Sequence, residues 1–119
     1  MAVTGNTYTV GQHFIDRAPE VLATYRAILA AAKKFGLVRE EAKKTSIHLA
    51  RRMAFAGVAT RRTALILTLK AATDIRSDRI TKHERVSANR WHLDMRLEKP
   101  AEVDRELIGW LKQSYHLAG

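Results

Sequence analysis

Apolar residues recur at three- and four-residue steps near both ends of the chain and at two-residue steps in between. Val21, Leu22, Tyr25, Ile28, Leu29, Ala32 and Phe35 form one stripe and predict a helix over 19–35. Pro19 suits a first turn because its missing N–H costs nothing there, and Glu20 complements the helix dipole. Lys33 and Lys34 favour the last turn, and Gly36 supplies the stop. After Pro100 the helical period returns in Val103, Leu107, Ile108, Leu111 and Tyr115, with Trp110 at the margin. Glu102 and Asp104 are acidic where a first turn needs them. Gly109 inside that helix costs about 1 kcal/mol relative to alanine, so it is expected to admit close packing. Ahead of both helices, Thr9 and Gln12 have the spacing of a capping box, which predicts a short helical turn through His13 and Phe14. So short a turn must dock Val10 and Phe14 on the body. Residues 1–8 carry no periodic pattern and read as a loose lead-in.

From residue 37 to 98 the period is that of strands, broken by short polar turns. Thr45, Ile47 and Leu49 alternate with Ser46, His48 and Ala50. Residues 53–58 form a second strand rich in small side chains, and 63–70 a third with Leu65, Leu67 and Leu69 on one face. An irregular basic stretch over 71–81 leads to a fourth strand at 82–86. The clearest alternation is over 91–98, where Trp91, Leu93, Met95 and Leu97 face inward and His92, Asp94, Arg96 and Glu98 outward. A further edge strand at 37–41 is weakly signalled. Ser87, Ala88 and Asn89 suit a tight hairpin turn, since Asn tolerates a left-handed backbone.

Short connections favour antiparallel hairpins, and both amphipathic helices need an apolar face to cover. The expected fold is α+β in two layers, an antiparallel sheet of about five strands with the N- and C-terminal helices on one face. Nothing in residues 1–119 reads as a linker or a repeat, so a single domain is expected.

Composition narrows the chemistry. The chain of 119 residues has no cysteine, which excludes disulfide scaffolds, thiolate metal sites and a thiol nucleophile. No apolar run approaches the roughly 20 residues of a membrane span, and no secretory pattern opens the chain. No membrane partner and a reducing, cytoplasmic home are the expectation. With 21 Lys and Arg against 12 Asp and Glu, the formal charge is +9, which favours anionic partners: a small anion, nucleic acid or an acidic protein. Much of that charge falls in doublets at element ends, where it also guards sheet edges. The motifs of established nucleic-acid folds, glycine-rich phosphate loops and dinucleotide fingerprints are absent from the sequence, and nothing in it names a cofactor or a metal.

With helices on one face, the other is expected to carry Ser46, His48, Ala50, Thr68, Lys70, His92, Asp94 and Arg96. The middle strand adds either Ala54, Ala56 and Val58 or Met53, Phe55 and Gly57, because a one-residue slip exchanges the two sets. Short side chains between longer polar ones make a shallow groove. Lys44, Ser46 and His48 at one strand start, with Arg85, Asn89, Arg90 and His92 around the 85–92 turn, are the candidate ligand-binding residues. All can donate to a phosphate or carboxylate. A small hydrolytic or metal-assisted enzyme is the alternative, and it requires Ser46, His48, His92 and Asp94 to gather within a few ångströms. A dimerising domain is a third reading, with sheets meeting at the small residues around Ala54 and Ala56.

Several segments taken together resemble a bacterial family known as domain of unknown function 5655. They are HFIDRAPEVLATYRAIL (13–29), KKTSIHL (43–49), FAGV (55–58), ERVSANRWHLDMRL (84–97) and PAEVDRELIGWLKQSY (100–115). The resemblance implies a compact α+β module, found alone or attached to other domains, some of them nuclease-like. It implies no activity, cofactor or catalytic residue. The outline is also similar to small bacterial proteins with iron-chaperone-like labels, although this chain lacks the acidic ridge such a role suggests.

Overall fold

A computed structural model describes residues 7–119; the lead-in expected over 1–8 falls mostly outside the described residues. The helix of the first stripe, α1, runs Pro19–Lys33 and buries Val21, Tyr25, Ile28 and Ala32. Six strands follow: β1 (Arg39–Ala42), β2 (Ile47–Ala50), β3 (Ala54–Thr60), β4 (Leu65–Ala71), β5 (Ile80–Ser87) and β6 (Arg90–Leu97). The chain closes with α2, Arg105–Leu117, which buries Leu107, Leu111, Ser114 and Tyr115. The weakly signalled edge strand is therefore real, and it brings the sheet to six strands. The fold is α+β, as the alternation implies.

All neighbouring strands pair antiparallel, in the order β1-β2-β3-β4-β6-β5. Four strands follow one another by hairpins; β5 then lies at the far edge, outside β6. Ile47, Leu49, Ala56, Val58, Leu65, Leu67, Leu69, Leu93, Met95 and Leu97 form one core with the buried faces of α1 and α2. Each of the larger of these side chains contributes about 1.5–3 kcal/mol on leaving water. Among the described residues no helix covers the opposite face of the sheet.

Two positions depart from simple alternation. Ala50 is buried rather than outward, because the β2–β3 register shifts between Leu49 and Ala50 and pairs Ala50 with Ala54. Phe55 also turns to the helix side, 5.1 Å ring to ring from Tyr115, although Gly57 two residues on lies on the open face. The cause is Ser114 of α2. The β3–β4 ladder stops at Ala56 and Leu69, and beyond it Ser114 Oγ accepts from Lys70 N at 2.9 Å and donates to the carbonyl of Phe55. A helix hydroxyl thus stands in for one rung of the sheet. Gly109 does not serve close packing: its α-carbon faces open space on the exposed side of α2.

The ends of the elements are tied down by specific bonds. Thr9 and Gln12 bond each other reciprocally (2.9 and 3.3 Å), as a capping box does, and lead into a 3-10 turn over Gly11–Phe14. His13 Nε2 donates to Lys43 O at 2.8 Å, which anchors the β1–β2 turn. Asp104 caps α2 by accepting from Leu107 N at 3.0 Å, and its carboxylate also receives Arg79 Nη1 at 2.9 and 3.1 Å. Arg79 in addition reaches Glu106 at 3.1 Å and the Glu102 carbonyl at 2.7 Å, fastening the irregular 72–79 segment to the start of α2. Gly36 sits at φ +151°, and its α-carbon faces the Tyr115 hydroxyl, which bonds Leu37 O at 3.1 Å. Both the backbone angle and the neighbour demand glycine there. No helix among the described residues is long and apolar enough to cross a membrane.

Candidate functional site

The uncovered face is built in rows by the strand register. His48 stands opposite Gly57, Gly57 opposite Thr68, and Thr68 opposite Asp94. One step along the strands, Lys70 stands opposite His92, and His92 opposite Glu84. Because β3 offers only short side chains to this face, a trough of about 260 Å³ opens along it. Ser46 and His48 line it from β2, Thr68 and Lys70 from β4, and His92 from β6, with Ala54, Gly57 and Ala59 of β3 as floor. The register settles which half of β3 looks outward: Gly57 is on the open face, whereas Ala56 and Val58 are buried in the core.

The electrostatics of the trough are one-sided. Its lining contains a lysine, two histidines, a serine and a threonine and, among the described residues, no carboxylate. Nearby acids are engaged outside it. Asp94 Oδ1 accepts from the Thr68 hydroxyl at 2.6 Å, and Glu84 lies 3.8 Å from His92 Nδ1 on the side of the edge strand. Lys70 forms no ion pair among the described residues, while its own backbone N–H is held from beneath by Ser114.

A sequence model of a family described as a domain of unknown function (DUF5655) matches residues 10–118. The chain belongs to that family. No curated protein and no solved structure is significantly similar to it. The matched span of the DUF5655 fold includes all six strands, both helices and every residue that lines the trough.

Of the seven candidate residues, this DUF5655 chain brings Ser46, His48 and His92 to the trough. Lys44 is at the exposed tip of the β1–β2 turn. Arg90 shares the open face by alternation, two residues from His92, and its Nη1 donates to Asn89 O at 2.9 Å. Arg85 does not join the site. It stands opposite Trp91, whose register is that of the core face, and its guanidinium donates to the carbonyls of Ser87 (3.4 Å) and Ala88 (3.2 Å). The hairpin loop is Ala88–Asn89, and Asn89 keeps a negative φ rather than the left-handed backbone expected of it. A register shift between Arg85 and Ser87 supplies the extra twist that a left-handed turn would have given. The turn's arginines thus serve their own hairpin.

Alternation did mark Thr68 and Lys70 as outward-facing, but only the strand order shows them at the centre of the site. That same order separates the set required for catalysis. His48 on β2 and His92 on β6 have β3 and β4 between them, so three strand spacings of about 4.8 Å keep them roughly 14 Å apart. Ser46, His48, His92 and Asp94 do not converge on a point. Among the described residues no three His, Asp or Glu side chains gather as metal ligands. A second hollow, of about 450 Å³, lies between the 11–14 turn, α1 and β1. Its walls are largely apolar, and its one hydroxyl, on Tyr25, already donates to Glu40 Oε2 at 2.6 Å.

Proposed function

We propose that this protein is a non-catalytic binding module that holds a small anionic ligand in the trough over β3. The observation that carries the reading is the lining: among the described residues it holds four side chains able to donate to a ligand (Ser46, His48, His92 and a Lys70 outside any ion pair), a Thr68 whose hydroxyl proton is given to Asp94, and no carboxylate. A carboxylate or phosphate there meets donors on both walls, and the half-buried setting strengthens each charge-assisted bond relative to open water. The trough rather than the 85–92 turn is the centre of the site, because Arg85 points to the other face. At about 260 Å³ the trough falls below the roughly 300–1,000 Å³ of pockets for drug-sized ligands, so its size suits one smaller molecule.

The test is a titration followed by backbone NMR shifts, with inorganic phosphate, benzoate and adenosine monophosphate as probes and Lys70→Ala as the control variant. Saturable shifts centred on His48, Gly57 and Thr68, weakened at least about fivefold by the variant, are expected. Two results would overturn the reading. One is tighter binding of a single-stranded oligonucleotide with a steep salt slope spread over the surface cations. The other is a solution dimer in which the trough is buried.

A further inference from the structure

Gly57 is a glycine that the fold does not need. Its φ lies outside the left-handed region, so an ordinary residue can adopt its backbone. A β-carbon built there meets only His48 Cδ2 and Thr68 Cβ, each at 3.9 Å, which is ordinary van der Waals contact. Alanine would therefore fit. Glycine in the middle of a strand costs about 0.5–1 kcal/mol relative to alanine, and it leaves bare peptide where a side chain would shield it. This bare peptide lies in the floor of the trough, on the central row of the site.

We infer that Gly57 is the seat of a flat ring, and that the ligand class is a planar aromatic or heteroaromatic anion. The inference rests on the anion-binding reading above and specifies its ligand. The geometry is that of a slot. An atom standing where the Gly57 side chain would be touches His48 on one side and Thr68 on the other. The gap therefore takes a single layer of carbon atoms in van der Waals contact with both walls, which an aromatic ring supplies and a puckered ring, being thicker, supplies less well. The imidazole of His48 provides a ring wall, and aromatic contacts of that kind add about 0.5–1.5 kcal/mol beyond area burial. Lys70 is one strand across from Gly57 and two residues beyond the paired Thr68, about 6.8 Å along the strand. Its ammonium can reach an anionic group attached to a ring in the slot, with His92 opposite it. Charge at one end and flatness at the other define the ligand.

The experiment compares pairs of probes that share charge and differ in flatness, on the full chain and on Gly57→Ala and Gly57→Val. The first pair is 2-naphthoate and its fully saturated analogue; the second is adenosine monophosphate and ribose 5-phosphate. The flat member is expected to bind about tenfold tighter in at least one pair, and the pair that shows it tells whether the ring comes from an aromatic acid or a nucleotide base. Gly57→Val should abolish that preference, and Gly57→Ala reduce it, whereas Lys70→Ala should weaken the flat and the saturated member of each pair alike. Equal binding of flat and saturated probes overturns the inference while leaving anion binding intact, and so does an unchanged preference in a folded Gly57→Val. If no anion binds even to the parent, it is the anion-binding reading that fails. Thermal unfolding of each variant confirms that it is folded, and Gly57→Ala, whose added methyl makes only ordinary contacts, is the variant of least risk.

Discussion

Ser114 accepts the backbone N–H of Lys70 at 2.9 Å, so a buried hydroxyl on the helix layer holds the strand end whose side chain lines the trough on the far side of the sheet. The same hydroxyl donates to the Phe55 carbonyl, and the two strands are spaced by it. Replacing Ser114 with alanine strands an N–H and a C=O in a dry setting. A loss of about 1–3 kcal/mol follows, read as a lower urea midpoint at unchanged slope. A variant as stable as the parent would mean that the strands close up and bond directly.

Two glycines should respond to alanine in opposite directions. Gly36 combines a φ of +151° with the Tyr115 hydroxyl in its path, and Gly36→Ala should destabilise by about 1–3 kcal/mol. Gly109 is mid-helix and exposed, with nothing near its α-carbon, so Gly109→Ala should stabilise by about 0.5–1 kcal/mol. Melting temperatures of the two variants moving the same way would contradict this pairing.

Asp104 ties stability to acidic pH. The Leu107 N–H, and then Arg79, hold its carboxyl below the ordinary carboxylate range. A depressed folded value means that its contribution is present above the unfolded pKa of about 3.9 and fades as pH falls through the lower, folded one. Asp104→Asn keeps a capping oxygen and loses the charge. Between pH 6 and pH 3 its melting temperature should fall less than the parent's; parallel curves would remove Asp104 from the acid response.

Tyr25 acts at the alkaline end. Burial, and then the hydrogen bond and charge of Glu40, push its phenol well above the ordinary value. A raised folded value gives stability that is complete below the unfolded pKa of about 10 and lost as pH climbs beyond it. Tyr25→Phe should be less stable at neutral pH by about 1 kcal/mol, from the lost bond, yet decline less steeply above pH 10. Ultraviolet titration should show Tyr25 resisting ionisation until the protein unfolds, as a component of the curve that Tyr25→Phe removes.

Leucines at two-residue steps mark β4 and β6 clearly because one face of each is wholly buried, and the helix stripes are plain for the same reason. Where alternation is broken, the reading breaks with it. Ala50 and Phe55 lie beside a register shift and a helix hydroxyl, neither of which leaves a local pattern. β1 is short, and Arg39, Glu40 and Glu41 give it no apolar face to reveal it. Ser46, His48 and His92 could be assigned to one surface from parity alone. Their distance from one another could not, since it depends on β6 lying next to β4, a long-range choice that the residues between them do not encode. Arg85 is near the site in sequence, but its pairing with Trp91 puts it on the other face.

That same strand order bears on the chain as it is made. The outer strand β5 is synthesised before β6, the strand that must lie between it and β4, so β4 keeps an open edge until residue 97 has been made. The β5–β6 hairpin is closed by only two loop residues and forms quickly, within microseconds on the usual scale for hairpins. If it docks through β6 as one unit, the sheet is completed from its interior rather than its rim. A nascent chain stopped before Trp91 would carry Leu65, Leu67 and Leu69 on a strand with a free edge, the species most prone to pair with its neighbours.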